Sequence, residues 1–371
     1  MERDWRFFIV STNSGVVHRE IYPSAFNGDI SLNTGVGGSV TIPLASVRDA
    51  GKSYWESLTL PTIRSLFVTY KGVAVWGGVV WKRKYTKSAN TITLTMQDLW
   101  SVLKRRYLIR AITRPAESHL QFGPYSLVTA AWKIVQFAKD DATWRDDLPI
   151  IFPSNTVAGD TVLNYRGYQA ITVADAVEQV IGWSGGPDVW FKPERNTSDS
   201  TGRFHWRMQS EAALNMDHQI DVNLVGSGVD YEVEHDAENV VNKAYVFGVG
   251  NGSKTASASE FRHETQYIQL DGAWMDRKTH QRHHLVRFAG ERVRRNADMN
   301  YTHRMTIHPD GFPGLLNNNE SALRIVPGMV VNRISDDSDP FLNPNKSFRL
   351  AGYRLSVGAN GADPIELDLR G

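Results

Sequence analysis

Hydrophobic and polar residues follow two different patterns in the N-terminal part of the chain. Residues 91–96 alternate strictly, with Ile92, Leu94 and Met96 on one side and three threonines on the other. A period of two residues predicts a strand with one buried face. Residues 5–10 are instead a short apolar run, which also predicts a strand but gives no sign of an exposed face.

A β-hairpin is predicted over residues 66–81, where two apolar runs are separated by Lys71-Gly72. A two-residue turn that contains glycine, placed between β-branched runs, is a hairpin signal. The Gly77-Gly78 pair inside the second run predicts a bulge or a bend in that strand.

A short helix is predicted after this hairpin and the strand that follows it. Thr95 and Asp98 have the spacing of a capping box, and basic residues lie at the end of the segment, where the helix dipole favours them. The expected buried stripe consists of Leu99, Val102, Leu103 and Tyr107.

Three later segments also have helical periodicity. One is expected to begin at Pro124, one at the N-cap Thr172, and one spans residues 285–298. Residues 113–123 are polar, with proline and glycine, and are predicted to be a linker.

The order of these elements predicts a mainly β protein with an α+β insert. We expect a β domain at residues 1–112 and an α+β domain at 113–230. A second β domain is expected at 231–371, with a helical or loop insertion at about 272–320.

The composition excludes several classes of protein. The 371 residues include 41 basic and 40 acidic side chains, whereas a dedicated nucleic-acid binder usually has a basic excess. Cysteine is absent, which excludes disulfides, cysteine-ligated zinc, iron–sulfur clusters and thiol catalysis. No apolar run is long enough to predict a membrane span, and the N-terminus does not resemble a secretory signal. We expect a protein that is soluble, or is assembled into a larger structure from the cytoplasm.

One motif fits a catalytic pattern. Residues 182–186, Gly-Trp-Ser-Gly-Gly, match the G-x-S-x-G pattern of hydrolase nucleophiles. In those enzymes a strand precedes the serine and a helix follows it, whereas here a predicted helix comes first. We therefore interpret Gly182 as the end of that helix, rather than Ser184 as a nucleophile.

A glycine-rich segment and a histidine cluster are also interpreted structurally. Residues 248–252 follow a predicted strand, but no helix follows to aim its N-terminus at a phosphate, so a hairpin loop is favoured. His280, His283 and His284 have helical spacing and could bind zinc or nickel, but a solvated, basic start of a helix is favoured.

Two acidic groups complete the candidates. Asp336, Asp337 and Asp339 lack the glycine and terminal glutamate of a calcium loop. Glu232 and Glu234 share one face of a strand, and paired carboxylates for glycoside hydrolysis stay open as an alternative. The sequence thus predicts no catalytic, cofactor-binding or metal site, and the protein is expected not to be an enzyme.

Three basic clusters could contact phosphate but are interpreted as solvated faces or as partners in salt bridges between subunits. They are Lys82-Arg83-Lys84, Lys104-Arg105-Arg106 and Arg292-Arg294-Arg295.

Several segments together resemble a known family. Residues 31–44 read SLNTGVGGSVTIPL, a hairpin ends in GGVVW at 77–81, and a short helix ends in RRYLI at 105–109. ENVVNKAYVFGVGNG, VPGMVVNRI, FRLAGYRLSV and PIELDL follow later. In combination they resemble siphophage minor tail proteins of the Gp37-like type, the tail-tip baseplate hubs that are related to the hub of contractile tails.

The resemblance implies two β-barrel, tail-tube-like domains flanking the α+β domain. It implies a structural virion protein of the tail tip, assembled in the host cytoplasm, that forms a homotrimeric, pseudo-sixfold ring continuing the tail tube. Its expected partners are the distal tail protein ring, the tape-measure protein and other baseplate or receptor-binding tail proteins. Phage DNA would pass through the channel without sequence-specific binding. No cofactor is implied.

In such a ring, some of the large aromatic residues should be interface anchors. The candidates are Trp5, Trp55, Trp76, Trp81, Trp190 and Trp206. The alternative is a carbohydrate-binding or glycan-hydrolysing tail-associated protein, for which an exposed aromatic platform beside two close carboxylates would be the sign.

Overall fold

The fold is described from a computed structural model of the chain. The described residues are 4–44, 52–110, 113–140, 148–183, 185–196, 202–224, 229–263, 267–275, 282–298, 300–307, 325–334, 346–358, 361–362 and 364–370.

Five α-helices and 22 strands are formed by the described residues. The helices are α1 Lys52–Leu58, α2 Trp100–Leu103, α3 Leu127–Asp140, α4 Val173–Ile181 and α5 Arg282–Asn296. The strands of the first half are β1 Trp5–Ser11, β2 Val17–Ile21, β3 Ala25–Ser31, β4 Gly37–Pro43, β5 Arg64–Tyr70, β6 Val73–Thr86, β7 Thr91–Gln97, β8 His119–Tyr125, β9 Ile150–Ile151, β10 Thr161–Arg166 and β11 Asp188–Arg195. Those of the second half are β12 Phe204–Glu211, β13 Gln219–Asn223, β14 Val229–Asp236, β15 Lys243–Phe247, β16 Ser257–Phe261, β17 Asp271–Met275, β18 Asn300–Ile307, β19 Val330–Ile334, β20 Lys346–Gly358, β21 Gly361–Ala362 and β22 Ile365–Arg370.

The chain divides into two compact units. Unit 1 comprises Met1–Tyr231 and Met305–Leu369, and unit 2 comprises Glu232–Arg304 and Arg370–Gly371. The three domain ranges expected from the sequence stay a prediction.

One large sheet dominates unit 1. From β22 to β2 its strand order is β22-β20-β3-β4-β7-β6-β5-β1-β2, and β19 joins β13 to β20 at the side. The mainly β class predicted from the sequence is confirmed. The described strands form no closed barrel.

Strands β1, β5 and β6 are buried on both faces, which explains their continuous apolar runs. Along β1, Phe7 and Ile9 enter a hydrophobic core that the N-terminal and C-terminal strands share. Phe8 and Val10 enter a second core, which continues into the α+β part of the chain. The two sides of one strand therefore hold two layers together, because each side removes apolar area from water.

The two glycines of β6 make room for aromatic rings. The predicted hairpin turn is confirmed, since Tyr70 pairs with Val73 across the intervening two residues. The bulge lies beside the glycine pair rather than in it, where the register shifts between Val68 and Thr69. A Cβ atom at Gly77 would lie 2.7 Å from the Phe67 ring, and one at Gly78 would lie 2.4 Å from the Trp76 ring.

The α+β part confirms most of its predicted elements. Strands β11 and β12 pair in antiparallel register, and Thr172 caps α4 by accepting a hydrogen bond from the Asp175 amide at 3.1 Å. The prediction for Pro124 is wrong, because that residue lies in β8, and α3 begins at Leu127. The predicted linker is also wrong in part, since residues 119–123 belong to β8, which pairs with β10.

The helix after β7 is shorter than predicted. It ends after one turn at Leu103, and the Tyr107 side chain, expected in the buried stripe, is 53% exposed. The chain turns there to pair Tyr107 with Thr172 in an isolated bridge. This tertiary contact overrides the helical period of the sequence.

Unit 2 contains a three-stranded sheet and the predicted C-terminal helix. Its strand order is β16-β15-β17, and α5 packs on it with Leu285, Ala289 and Val293 against Ala244 and Val246. The helix expected at 285–298 is confirmed and begins three residues earlier, at Arg282.

The buried carboxylate of Asp188 joins four distant segments of unit 1. It accepts hydrogen bonds from the Asn33 amide at 3.0 Å, from the Leu214 backbone N–H at 3.1 Å and from both terminal nitrogens of Arg349. Asn33 also pairs with Val189 through two further hydrogen bonds. The loop after β3, the start of β11, the loop after β12 and strand β20 are therefore held by one charged group.

We expect Asp188→Ala to destabilise the protein by about 3–5 kcal/mol, because it leaves a partly buried guanidinium without its counter-ion. The measurement is denaturant unfolding followed by tryptophan fluorescence. Asp29→Ala is the matched control, because its ion pair with Arg354 is exposed and we expect it to cost less than about 1 kcal/mol. Equal losses in the two variants would contradict the assignment.

A second buried carboxylate makes stability depend on pH. Burial raises the pKa of Asp98 to about 7, against the opposing effects of backbone hydrogen bonds at Val36 and Trp100 and of the Lys104 charge. The folded pKa exceeds the unfolded value of 3.8. The native state therefore holds this proton more tightly, and its contribution is lost as pH rises through this window.

We expect the stability of the wild type relative to Asp98→Asn to fall by about 1.4 kcal/mol per pH unit between about pH 4 and 7. Above pH 7 the difference should become constant. Urea unfolding of both proteins at a series of pH values measures it. A difference that is independent of pH would contradict a raised pKa.

Candidate functional site

A continuous polar face covers five neighbouring strands of the large sheet: β7, β4, β3, β20 and β22. Directly opposed residues place their side chains on the same side of a sheet. One row runs across the strands from Thr95 to Ser39, Asn27 and Ser356. A second row pairs Thr93 with Thr41, and a third pairs Asp29 with Arg354. This surface is called the polar sheet face below.

Hydrogen bonds and ion pairs tie the polar sheet face together across strands. The Asn27 side chain accepts hydrogen bonds from the backbone and side chain of Ser39 at 3.0 and 3.2 Å. Arg354 donates to the Asp29 carboxylate at 2.6 Å and lies 3.5 Å from a Glu366 oxygen. The hydrogen bond and charge of Asp29 raise the pKa of Arg354. Charges on this face are therefore paired with their neighbours.

The opposite side of the same strands is apolar and buried, which accounts for the strict alternation of residues 91–96. Ile92, Leu94 and Met96 are buried, together with Val40 and Leu355 of the neighbouring strands. The α+β part covers β1, β5 and β6 instead. The alternating strands are thus the ones whose second face stays polar.

The polar sheet face crosses from the N-terminal to the C-terminal part of the chain at the pairing of β3 with β20. Six residue pairs form this junction, from Gly352 with Ser31 to Val357 with Phe26. A Cβ atom at Gly352 would lie 2.4 Å from the Ile30 carbonyl oxygen, so glycine allows the close approach. The sequence showed the strands but carried no signal for this pairing, because nothing local links residues so far apart.

The described part of the chain brings together no group of three or more histidine, aspartate or glutamate side chains able to hold a metal. Glu232 and Glu234 lie exposed on β14, as predicted. His283 and His284 lie with ring centroids 4.1 Å apart on the exposed side of α5. His280, Asp336, Asp337 and Asp339 lie outside the described residues. Among the helices described, none has the length and apolarity that crossing a bilayer requires.

The two glycine-rich segments have the structural roles expected. Gly182 ends α4 and donates its backbone N–H to the Glu178 carbonyl, while Ser184 lies outside the described residues. Residues 248–252 connect the antiparallel strands β15 and β16, and Gly250 and Gly252 have positive φ angles. A loop of this kind is a hairpin connection rather than the turn that precedes a phosphate-binding helix.

The basic clusters are partly used within the chain. Arg83 donates to the Glu56 carbonyl at 2.9 Å, and Arg106 donates to the Ala138 carbonyl at 3.0 Å. The Arg105 guanidinium lies 5.5 Å from the centre of the Trp81 ring. Several of these cations therefore stabilise the fold.

The expectation for the tryptophans is wrong for four of the six. Trp55, Trp76, Trp190 and Trp206 are at most 8% exposed and belong to the cores of the chain itself. Trp5 and Trp81 are half-buried. Composition cannot separate core from interface aromatics, because both positions favour the same large apolar area.

No protein-family model matches the chain, and no curated protein matches it. Solved structures do. A tail protein from Neisseria meningitidis MC58 is 14% identical with a TM-score of 0.59, over 99% of this chain and 96% of that one. The 43 kDa tail protein of prophage MuSo2 from Shewanella oneidensis is 11% identical with a TM-score of 0.61, over 98% of both chains. The chain therefore has the fold of phage tail proteins over almost its whole length.

Proposed function

We propose that this protein is a structural component of a phage tail tip, a baseplate hub of the Gp37-like siphophage type. The observation that carries the proposal is the polar sheet face, which crosses the β3–β20 junction without interruption. The fold shared with two tail proteins supports the same class. We further propose three domains, at residues 1–112, 113–230 and 231–371, with the two β domains acting as tube-like domains.

The proposed assembly is a homotrimeric ring. Two tube-like domains per chain give six in a trimer, so a threefold ring would match a sixfold tail tube. Closed rings use head-to-tail contacts whose rotation closes. In this ring the polar sheet face would line the channel, because its short, paired polar side chains offer DNA a hydrated wall with few attachment points.

The proposed partners follow from this position. The distal tail protein ring would stack on one side, the tape-measure protein would end in the channel, and receptor-binding tail proteins would attach at the tip. Opening of the ring after host recognition would let DNA pass. The chain would act in the virion, after assembly in the host cytoplasm, and without enzymatic activity or a cofactor.

We expect a solution mass of three copies of the 41.7 kDa chain, about 125 kDa, and electron-microscopy class averages of a threefold ring with a central hole. Mass photometry and negative-stain imaging of the purified protein measure both. A monomer at micromolar concentration that stays monomeric with the distal tail protein present would contradict the hub.

One cleft favours carbohydrate binding as a second candidate function. It has a volume of about 290 Å³ and is lined by aromatic residues and amides, including Phe122, Tyr125 and Phe137 with Gln121 and Gln136. Flat aromatic faces with a few polar groups are typical of small-ligand sites.

Under this second candidate, soluble cell-wall glycan fragments would bind, and Gln121→Ala with Gln136→Ala would weaken binding by about tenfold or more. Calorimetric titration measures it, and assay of the same fragments for cleavage tests hydrolysis. Since the hub needs no such ligand, we expect no binding. Saturable binding lost in the double variant would favour the second candidate.

A further inference from the structure

One face of strand β14 is a row of carboxylates. Asp230, Glu232, Glu234 and Asp236 alternate along the strand, and the first three are exposed. Residues two apart in a strand share a face and lie about 6.7 Å apart. Arg304 lies 3.8 Å from a Glu232 oxygen, whereas Asp230 and Glu234 form no ion pair with any described residue. This surface is called the acidic row.

The exposed side of α5 is basic. His283, Arg287 and Arg294 share this side, four and seven residues apart, while Leu285, Ala289 and Val293 face the sheet. Arg287 and Arg294 are exposed and make no ion pair within the described part of the chain. One and two helical turns separate these positions, about 6 and 10.5 Å. This surface is called the basic stripe.

The other arginines of α5 differ in this respect. Arg295 pairs with Glu291 at 2.7 Å, and the Arg292 guanidinium lies over the Phe288 and Trp274 rings. Those two side chains stabilise the unit. Gly290 lies between Arg287 and Arg294 and leaves the middle of the stripe low, since even a Cβ atom there would lie 3.9 Å from the Glu260 side chain.

Edge protection and polyanion binding both account for less of this arrangement. Charges on β14, an end strand of the large sheet, would prevent uncontrolled sheet growth, but one or two charges suffice for that. A polyanion would be attracted to the basic stripe, but the acidic row near it in sequence and the net charge of +1 oppose polyanion binding. Separate surfaces of opposite sign fit a contact between copies.

We infer that the acidic row of one copy binds the basic stripe of the next copy. The partner is thus a second copy of this chain, and the contact is head-to-tail, as a closed ring requires. The carboxylate spacing on β14 is close to one helical turn of α5, so successive charges can pair. The inference rests on the proposed ring and adds a contact that specifies which faces meet.

Charge reversal tests the inference. We expect Arg287→Glu with Arg294→Glu to weaken association by about tenfold or more, and Glu232→Arg with Glu234→Arg to do the same. The chain with all four substitutions should recover association to within about threefold, because the two surfaces have exchanged signs. Sedimentation equilibrium at about 50 and 300 mM salt measures the constants, and the wild type should associate more weakly at the higher salt.

Arg166→Glu with Arg203→Glu is the matched control, since both arginines are exposed and lie outside unit 2. We expect wild-type association for it, and circular dichroism verifies that every variant is folded. A wild-type trimer that both reversals leave intact would overturn this contact and leave the ring standing. A quadruple variant that stays dissociated would also overturn it. A monomeric wild type would overturn the ring and the contact together.

Discussion

The carboxylate of Asp188 is the constraint on which the arrangement of unit 1 depends. It is buried at the start of β11, and its hydrogen bonds reach Asn33, Leu214 and Arg349. A buried charge is tolerated only when it is paired and hydrogen-bonded, so these segments must stay together for the carboxylate to stay satisfied. Since Arg349 is on β20 and Asn33 follows β3, the same contact fixes the two strands whose pairing joins both ends of the chain.

The large sheet then serves two purposes because its strands are covered differently. Strands β1, β5 and β6 are buried on both faces, and the α+β part packs on their second face. Strands β7, β4, β3, β20 and β22 keep a polar second face, whose charges are paired across strands. One sheet thereby provides a rigid support on one part and a hydrated, continuous surface on the other. This division is what makes a channel wall physically reasonable for the protein.

The chain carries charge of both signs on separate elements. The carboxylates of β14 and the arginines of α5 are ordered by the periods of a strand and a helix, while the arginines at positions 292 and 295 are used within unit 2. In a chain with a net charge of +1, such separation leaves the total unchanged but creates directional surfaces. Directional, complementary surfaces give specificity of association rather than bulk affinity.

Local signals along the chain were enough to specify several elements. The alternation at residues 91–96, the Lys71-Gly72 turn, the Thr172 cap and the period of α5 all predicted what formed, because neighbouring residues decide these features. Long-range contacts fixed the rest: Tyr107 turned outward, Pro124 entered a strand, and four tryptophans expected at interfaces entered the core. They also fixed the candidate site, since the pairing of β3 with β20 and the bonds of Asp188 to Asn33 and Arg349 join residues that are distant in sequence. No local pattern records such contacts, because their free energy comes from burial and charge pairing that exist only after the chain has folded.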